Sequence, residues 1–228
     1  MSSIGFRICE RPAPALPTDA LAQFAQVGSA QISDCMGRLY GVVGLRPMHS
    51  VNAPRMVGVA LTVKARPGDN LMIHKAISMA QAGDVIVVDG AGDLTNALVG
   101  ELMMMDAEQR GAAGFVMDGA VRDADTFARN DFPCFARGVS HRGPYKDGPG
   151  EINVPVCIGG QVVCAGDIVV GDADGVVVIP AAMAQSVLIS ALQKEADEER
   201  IKETIRAGTY AKPWVDATIT EKTGGAAK

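Results

Sequence analysis

Arg122 and Asp123 stand side by side in this chain, just after the apolar run Phe115-Val116-Met117 and the turn-forming pair Asp118-Gly119. A fixed cation beside a carboxylate can stabilise a developing oxyanion or anchor a hard metal ion. A buried strand that empties into such a loop is how α/β proteins present a site at a strand's carboxyl end. The same two neighbours also suit a structural ion pair or two solvated loop charges. Glu101, within Gly100-Glu101-Leu102-Met103, precedes the same strand and could orient a water or act as a base beside Arg122. A solvated glutamate on the outer face of a helix is the simpler account of it. His74 falls early on a helix and could face the same crevice as a substrate contact, or serve as an ordinary packing histidine. With a carboxylate next to an arginine, Mg²⁺ needs only Asp123 as protein anchor if the substrate itself chelates through adjacent oxygens, as a 2-oxo acid does.

The elements that must position these residues follow from periodicity. Val85 to Val88 is an uninterrupted apolar run of the kind buried on both faces. Asp89 to Asp93 reads as a loop, and a helix is expected from about Asn96 to Arg110 before the strand at 115–117. That alternation over residues 84–118 is a βαβ unit. Upstream, Thr18 and Asp19 can cap a helix, a second helix starts near Ser29, Arg46 to Arg55 reads as loop, and Val57 to Val63 is a strand. Gly68-Asp69-Asn70 opens a helix with Leu71, Ile73, Ile77 and Ala80 on one stripe. Beyond Asp131 come short β-like runs separated by Gly159-Gly160, Gly166-Asp167 and Gly171-Asp172, which predicts hairpins. Ala181 to Gly208 is a long helix, and Thr209 to Lys228 a frayed tail. No linker divides the chain, so a single domain is expected over residues 1–228, with its core at about 30–208.

Composition narrows the chemistry. At 48% hydrophobic and 21% charged, this is an ordinary globular chain, and its net charge of −5 with no basic run argues against a nucleic-acid backbone as partner. An acidic protein binds a small anion only through a local cationic pocket, which makes Arg122 notable. Five scattered cysteines (Cys9, Cys35, Cys134, Cys157, Cys164) with no paired spacing fit buried free thiols in a reducing cytoplasm. Neither a leader-like apolar segment nor a membrane-spanning run is visible, so no membrane partner is expected. Dinucleotide, Walker, zinc-protease and serine-hydrolase motifs are absent. A Schiff-base route through Lys64 or Lys75 is the alternative for carbonyl chemistry.

Four stretches carry a resemblance: Gly68-Asp69-Asn70-Leu71-Met72-Ile73-His74; Gly100-Glu101-Leu102-Met103; Asp118-Gly119-Ala120-Val121-Arg122-Asp123; and Gly166 through Pro180. In order and spacing they resemble the 4-hydroxy-4-methyl-2-oxoglutarate / 4-carboxy-4-hydroxy-2-oxoadipate aldolases, whose fold is shared by the regulator of ribonuclease activity A. The resemblance implies an α/β/β sandwich of the swivelling-domain type with a mixed sheet and a long C-terminal helix, assembled as a homotrimer or hexamer. It implies a divalent-metal-dependent pyruvate aldolase acting on a 4-hydroxy-2-oxo diacid, with oxaloacetate decarboxylation as a side activity. It makes Asp123 the ligand of Mg²⁺ or Mn²⁺, Arg122 the partner of the pyruvyl keto oxygen and Glu101 the orienter of a metal-bound water. The segment from Gly100 to Met103, through the Leu102 and Met103 amides, would cradle the substrate carboxylate. Glu198, and Asp34 on the second helix, would serve a neighbouring subunit's site. The family's pattern places an acid three residues after the aspartate, where this chain has Thr126, with Asp125 one residue earlier. The alternative within the same fold is a non-catalytic, protein-binding regulator of ribonuclease activity, which lacks the aspartate supplied here by Asp123.

Overall fold

The computed structural model describes residues 5–224. In chain order the elements are β1 (Phe6–Ile8), α1 (Thr18–Ala22), α2 (Ser29–Cys35), β2 (Arg46–Pro47), β3 (Met56–Ala65), α3 (Leu71–Met79) and β4 (Asp84–Val99). There follow α4 (Glu101–Gln109), β5 (Gly114–Val121), α5 (Ala124–Arg129), β6 (Cys134–Val139), β7 (Gly150–Ile152), β8 (Val156–Ile158) and β9 (Gln161–Val163). The chain closes with β10 (Ile168–Asp172), β11 (Gly175–Ile179), α6 (Ala184–Arg206) and α7 (Pro213–Thr223).

The main sheet is mixed. Strands β3, β4, β5 and β6 run parallel through the βαβ connections, while β7 and β10 pair antiparallel with opposite ends of β3. Alternation along the central strands explains their unbroken apolar runs. Ile86, Val88, Phe115 and Met117 point into a core shared with Ile73, Ile77, Met104 and Phe127. Their neighbours Val85, Val87 and Val116 point the other way, onto Phe135, Val169 and Val178. The β10–β11 ribbon is itself two-sided, since Ile168, Val170, Val177 and Ile179 pack under Phe24, Ile32 and Leu188 from the helical segments. With successive side chains buried on opposite faces, the central stretches Val85–Val88 and Phe115–Met117 are apolar without a break.

Several sequence expectations give way. Asp118-Gly119 is not a turn, because β5 continues through Val121. A Cβ on Gly119 would lie 2.7 Å from Leu98 Cδ1, so this glycine serves the close approach of β4 rather than a bend. Asn96 to Val99 is strand, not helix. After irregular register across Asp89 to Asp93, β4 resumes and pairs Ala97 with Ala120 and Val99 with Val121. Polar residues and the left-handed Ala91 and Gly92 interrupt the apolar pattern there and hide the strand's second half. No side chain of Thr18 or Asp19 caps α1, whose N-cap is Pro17. The 46–55 loop contains the short strand β2, paired with β6. Gly166-Asp167 joins strands that do not pair with each other, whereas Gly159-Gly160 does close the β8–β9 hairpin. The tail carries α7, with Pro213 in its first turn where a missing N–H costs nothing. Its last residues (225–228), and residues 1–4 of the stretch read for a leader, lie outside the described residues. Of the cysteines only Cys134 is buried, and Cys157 and Cys164 are exposed. Among the described residues no helix is long and apolar enough to cross a membrane.

Candidate active site

The resumption of β4 builds the site. By pairing with β5 to its last residue, β4 delivers Gly100 and the start of α4 alongside Arg122, whose N–H donates to Val99 O at 3.0 Å. Asp123 then adopts a left-handed backbone conformation (φ 57°, ψ 41°), uncommon outside glycine but tolerated by aspartate. Its carbonyl accepts the Thr126 and Phe127 N–H groups and starts α5. Its carboxylate turns instead to α4, where Oδ2 accepts the Glu101 N–H at 2.9 Å. One residue thus serves the N-termini of two helices, one through its carbonyl and one through its side chain. Arg122 Nε lies 3.7 Å from the same Oδ2.

Gly100 is what lets these groups meet. Its backbone is ordinary extended chain, but a Cβ there would fall 2.5 Å from Asp123 Oδ2 and 2.9 Å from Arg122 Cγ. At the head of α4, the Met103 and Met104 N–H groups both turn back to Gly100 O, at 3.1 and 3.0 Å. Leu102 N–H has no acceptor among the described residues, and Leu102 is among the most exposed apolar residues, at 77%. Of the two amides expected to cradle a carboxylate, that of Leu102 is thus unengaged among the described residues, whereas that of Met103 is bonded to Gly100 O.

Arg122 separates two depressions. The inner one, of about 260 Å³, is bordered by His74, Gly100, Leu102, Met103, Arg122 and Lys146, among others. The structure thereby collects every expected substrate contact in one place. Asn70 and Lys146, which the sequence did not single out as site residues, border it too. Among the described residues no acidic side chain lines this depression, and Arg122 and Lys146 make it cationic. His74 is held below its ordinary pKa by burial and then by the Lys146 ammonium, which keeps the ring neutral near pH 7. Asn70 is almost fully buried. It donates to Leu98 O at 3.0 Å and to Met103 Sδ at 3.3 Å, while its Oδ1 has no donor. The outer depression is bordered by Arg122, Asp123, Ala124, Val139, Ser140 and His141.

Among the described residues no three His, Cys, Asp or Glu side chains converge as a protein-only metal cage. Asp123, its carboxylate partly exposed, is among the described residues the one carboxylate that borders either depression. That donor set fits a hard, largely hydrated divalent cation whose remaining oxygens come from water and substrate, and does not fit a closed structural site. Glu101 contributes its N–H to Asp123, but its exposed side chain borders neither depression. Asp34 and Glu198 lie elsewhere in the chain, on the α2–α6 face. Lys194 Nζ stands 3.0 Å from Asp34 and 3.6 Å from Glu198, and Gln31 donates to Glu198. Lys194, then Arg38, holds the Asp34 carboxyl below the usual range. Neither acid borders the Arg122 depressions of its own chain. Lys64 and Lys75 are both exposed, which removes the desolvation a Schiff-base lysine needs.

Fold and site define a mixed α/β protein with a cationic depression at the carboxyl end of a parallel strand. The profile of the RraA-like family, described as Aldolase/RraA, matches residues 29–178. The chain belongs to this family. It is 40% identical, over 85% of its length and 91% of the relative's, to a Halalkalibacterium halodurans protein named "Putative 4-hydroxy-4-methyl-2-oxoglutarate aldolase". Among solved structures, an uncharacterized protein from Pseudomonas syringae pv. tomato superposes with a TM-score of 0.77 at 29% identity, covering 87% of this chain and 97% of that one. The RNA-processing inhibitor RraA from Thermus thermophilis gives 0.62 at 28% identity, covering 67% and 92%. The aldolase name of the 40%-identical relative supports a lyase, in a family that also includes inhibitors of RNA processing.

Proposed function

We propose that this chain is a divalent-metal-dependent lyase that cleaves a 4-hydroxy-2-oxo diacid to pyruvate and a second 2-oxo acid. The observation that carries the reading is the Arg122–Asp123 pair, held against the open N-terminus of α4 by Gly100 and by the Glu101 N–H bond. A cation such as Mg²⁺ or Mn²⁺, held by Asp123 and by the substrate's own oxygens, supplies Lewis-acid polarisation of the keto group when bound.

This chain's own groups do the rest. The Leu102 N–H receives the substrate's C1 carboxylate, with the positive end of α4 behind it. Arg122 donates to the keto oxygen, on which negative charge grows as the C3–C4 bond breaks. A water network oriented by Glu101, with Glu198 of a neighbouring copy in a trimer or hexamer, takes the proton from the C4 hydroxyl. That oxygen becomes the keto group of the second product. The bond's electron pair passes to C3 as the pyruvate enolate, which Arg122 holds until C3 is protonated. Oxaloacetate, losing CO₂ to give the same enolate, is an expected second substrate.

The test is pyruvate release from 4-hydroxy-4-methyl-2-oxoglutarate and from oxaloacetate, with Mg²⁺ and with EDTA, for the wild type and Arg122→Ala. Release that needs Mg²⁺ and disappears in the variant is expected, whereas an Arg122→Ala protein that still releases pyruvate normally defeats the assignment. The likeness to an inhibitor of RNA processing favours a second reading, a non-catalytic regulator, which predicts no pyruvate release under any of these conditions.

A further inference from the structure

The inner depression holds one cation more than a pyruvyl group needs. Arg122 borders it on one side and Lys146 on another, with a neutral His74 and no carboxylate between them. Lys146 is also not on a free loop. Asp69, only 2% exposed, spends both carboxylate oxygens on that segment and its neighbour. Oδ2 accepts the Asp147 and Gly148 N–H groups at 2.8 and 2.9 Å, and Oδ1 accepts that of Leu71 at 2.9 Å. On the other side of Lys146, Tyr145 exchanges backbone bonds with Gly68 and Asn70. Asn96 Nδ2 adds a bond to Gly143 O. The backbone is therefore fixed on both flanks of one solvent-facing lysine, the arrangement expected where a side chain must be aimed rather than merely soluble.

We propose that Lys146 is a specificity-determining residue that pairs with the substrate's second carboxylate, so that the pocket selects diacids over monoacids of the same length. This rests on the lyase reading for its choice of substrates. With Arg122 on the keto oxygen and the Leu102 N–H on the C1 carboxylate, Lys146 is the cation left for the second carboxylate, and a monoacid leaves its ammonium without a partner.

Two paired comparisons test it. In turnover, 4-hydroxy-4-methyl-2-oxoglutarate is compared with 4-hydroxy-4-methyl-2-oxopentanoate, in which a methyl replaces the second carboxylate. In binding, titration calorimetry compares 2-oxoglutarate with 2-oxopentanoate. Lys146→Met keeps the aliphatic stem, and Lys146→Arg keeps the charge. Removing an exposed charge partner should cut the preference for the diacid up to about fivefold in Lys146→Met, with a smaller effect on the monoacid than on the diacid, and the preference should be largely restored in Lys146→Arg. Loss of lyase activity together with an intact, Lys146-dependent binding preference would refute the reaction assignment while leaving the carboxylate site standing. An unchanged diacid-to-monoacid ratio in Lys146→Met, or an equal fall for both ligands, overturns the proposal.

Discussion

Gly100→Ala isolates the geometry of the site from the chemistry of its side chains. The substitution changes no charge, and the extended backbone at Gly100 accepts alanine without strain. Its entire effect is the new methyl, 2.5 Å from Asp123 Oδ2, 2.9 Å from Arg122 Cγ and 3.0 Å from Arg122 Nε. Relief requires a displacement of roughly 0.9 Å at the Asp123 carboxylate, and a misplacement of about 1 Å in a reacting constellation costs on the order of a hundredfold. Both side chains are partly exposed and can swing outward, so overpacking should take only about 1 kcal/mol from stability. Losing the acceptor for the Glu101 N–H adds up to about 1 kcal/mol. The measurement is kcat/KM for pyruvate release, alongside the midpoint of denaturant unfolding. A fall of about a hundredfold in kcat/KM in a protein that remains folded is expected. Near-wild-type turnover would refute the claim that Arg122, Asp123 and the head of α4 act as one unit.

Three further expectations follow from the same contacts. Asp123→Asn retains a residue suited to left-handed backbone and an oxygen for the Glu101 N–H, so its stability should stay within about 0.5 kcal/mol while Mg²⁺-dependent activity is lost; calorimetric melting and a metal titration check both. Asp69→Ala strips the acceptor from three backbone N–H groups and should cost about 3 kcal/mol in urea unfolding while raising KM, because the segment carrying Lys146 is released. Burial, above all, holds His49 below its ordinary pKa of 6.5, so the unfolded chain takes up this proton before the folded one does. Stability should therefore fall as pH drops below about 6.5 and level off once the folded pKa is passed, and His49→Gln should flatten melting curves recorded between about pH 8 and pH 5.

Much of the fold was legible because burial on both faces writes itself as unbroken apolar runs. Val85 to Val88 and Phe115 to Met117 announced the central strands, and the spacing of Leu71, Ile73 and Ile77 announced α3. What stayed hidden depends on partners distant in sequence. Ala97-Leu98-Val99 is too short to declare itself a strand, and only pairing with β5 makes it one. Gly119 looked like a turn because the side chain that demands it, that of Leu98, lies on another strand. Arg122 and Asp123 were readable as neighbours in sequence. Lys146 was not, since it reaches the pocket through a bridge between Asp69 and Tyr145, and nothing in Gly-Pro-Tyr-Lys marks it apart from other surface loops. Asn70 was readable only as a helix opener, although its near-complete burial beside the pocket fixes the floor beneath α4.

The left-handed backbone at Asp123 also bears on which sequences this position can hold. Steric tolerance of such a conformation admits few residue types readily, chiefly glycine, asparagine and aspartate. Only one of those carries a negative charge. A saturation library at residue 123 sorted for folding and a second sorted for turnover should therefore diverge: the first keeps a small polar set, the second collapses to the wild-type residue. Glutamate, the usual conservative replacement, should fail in both.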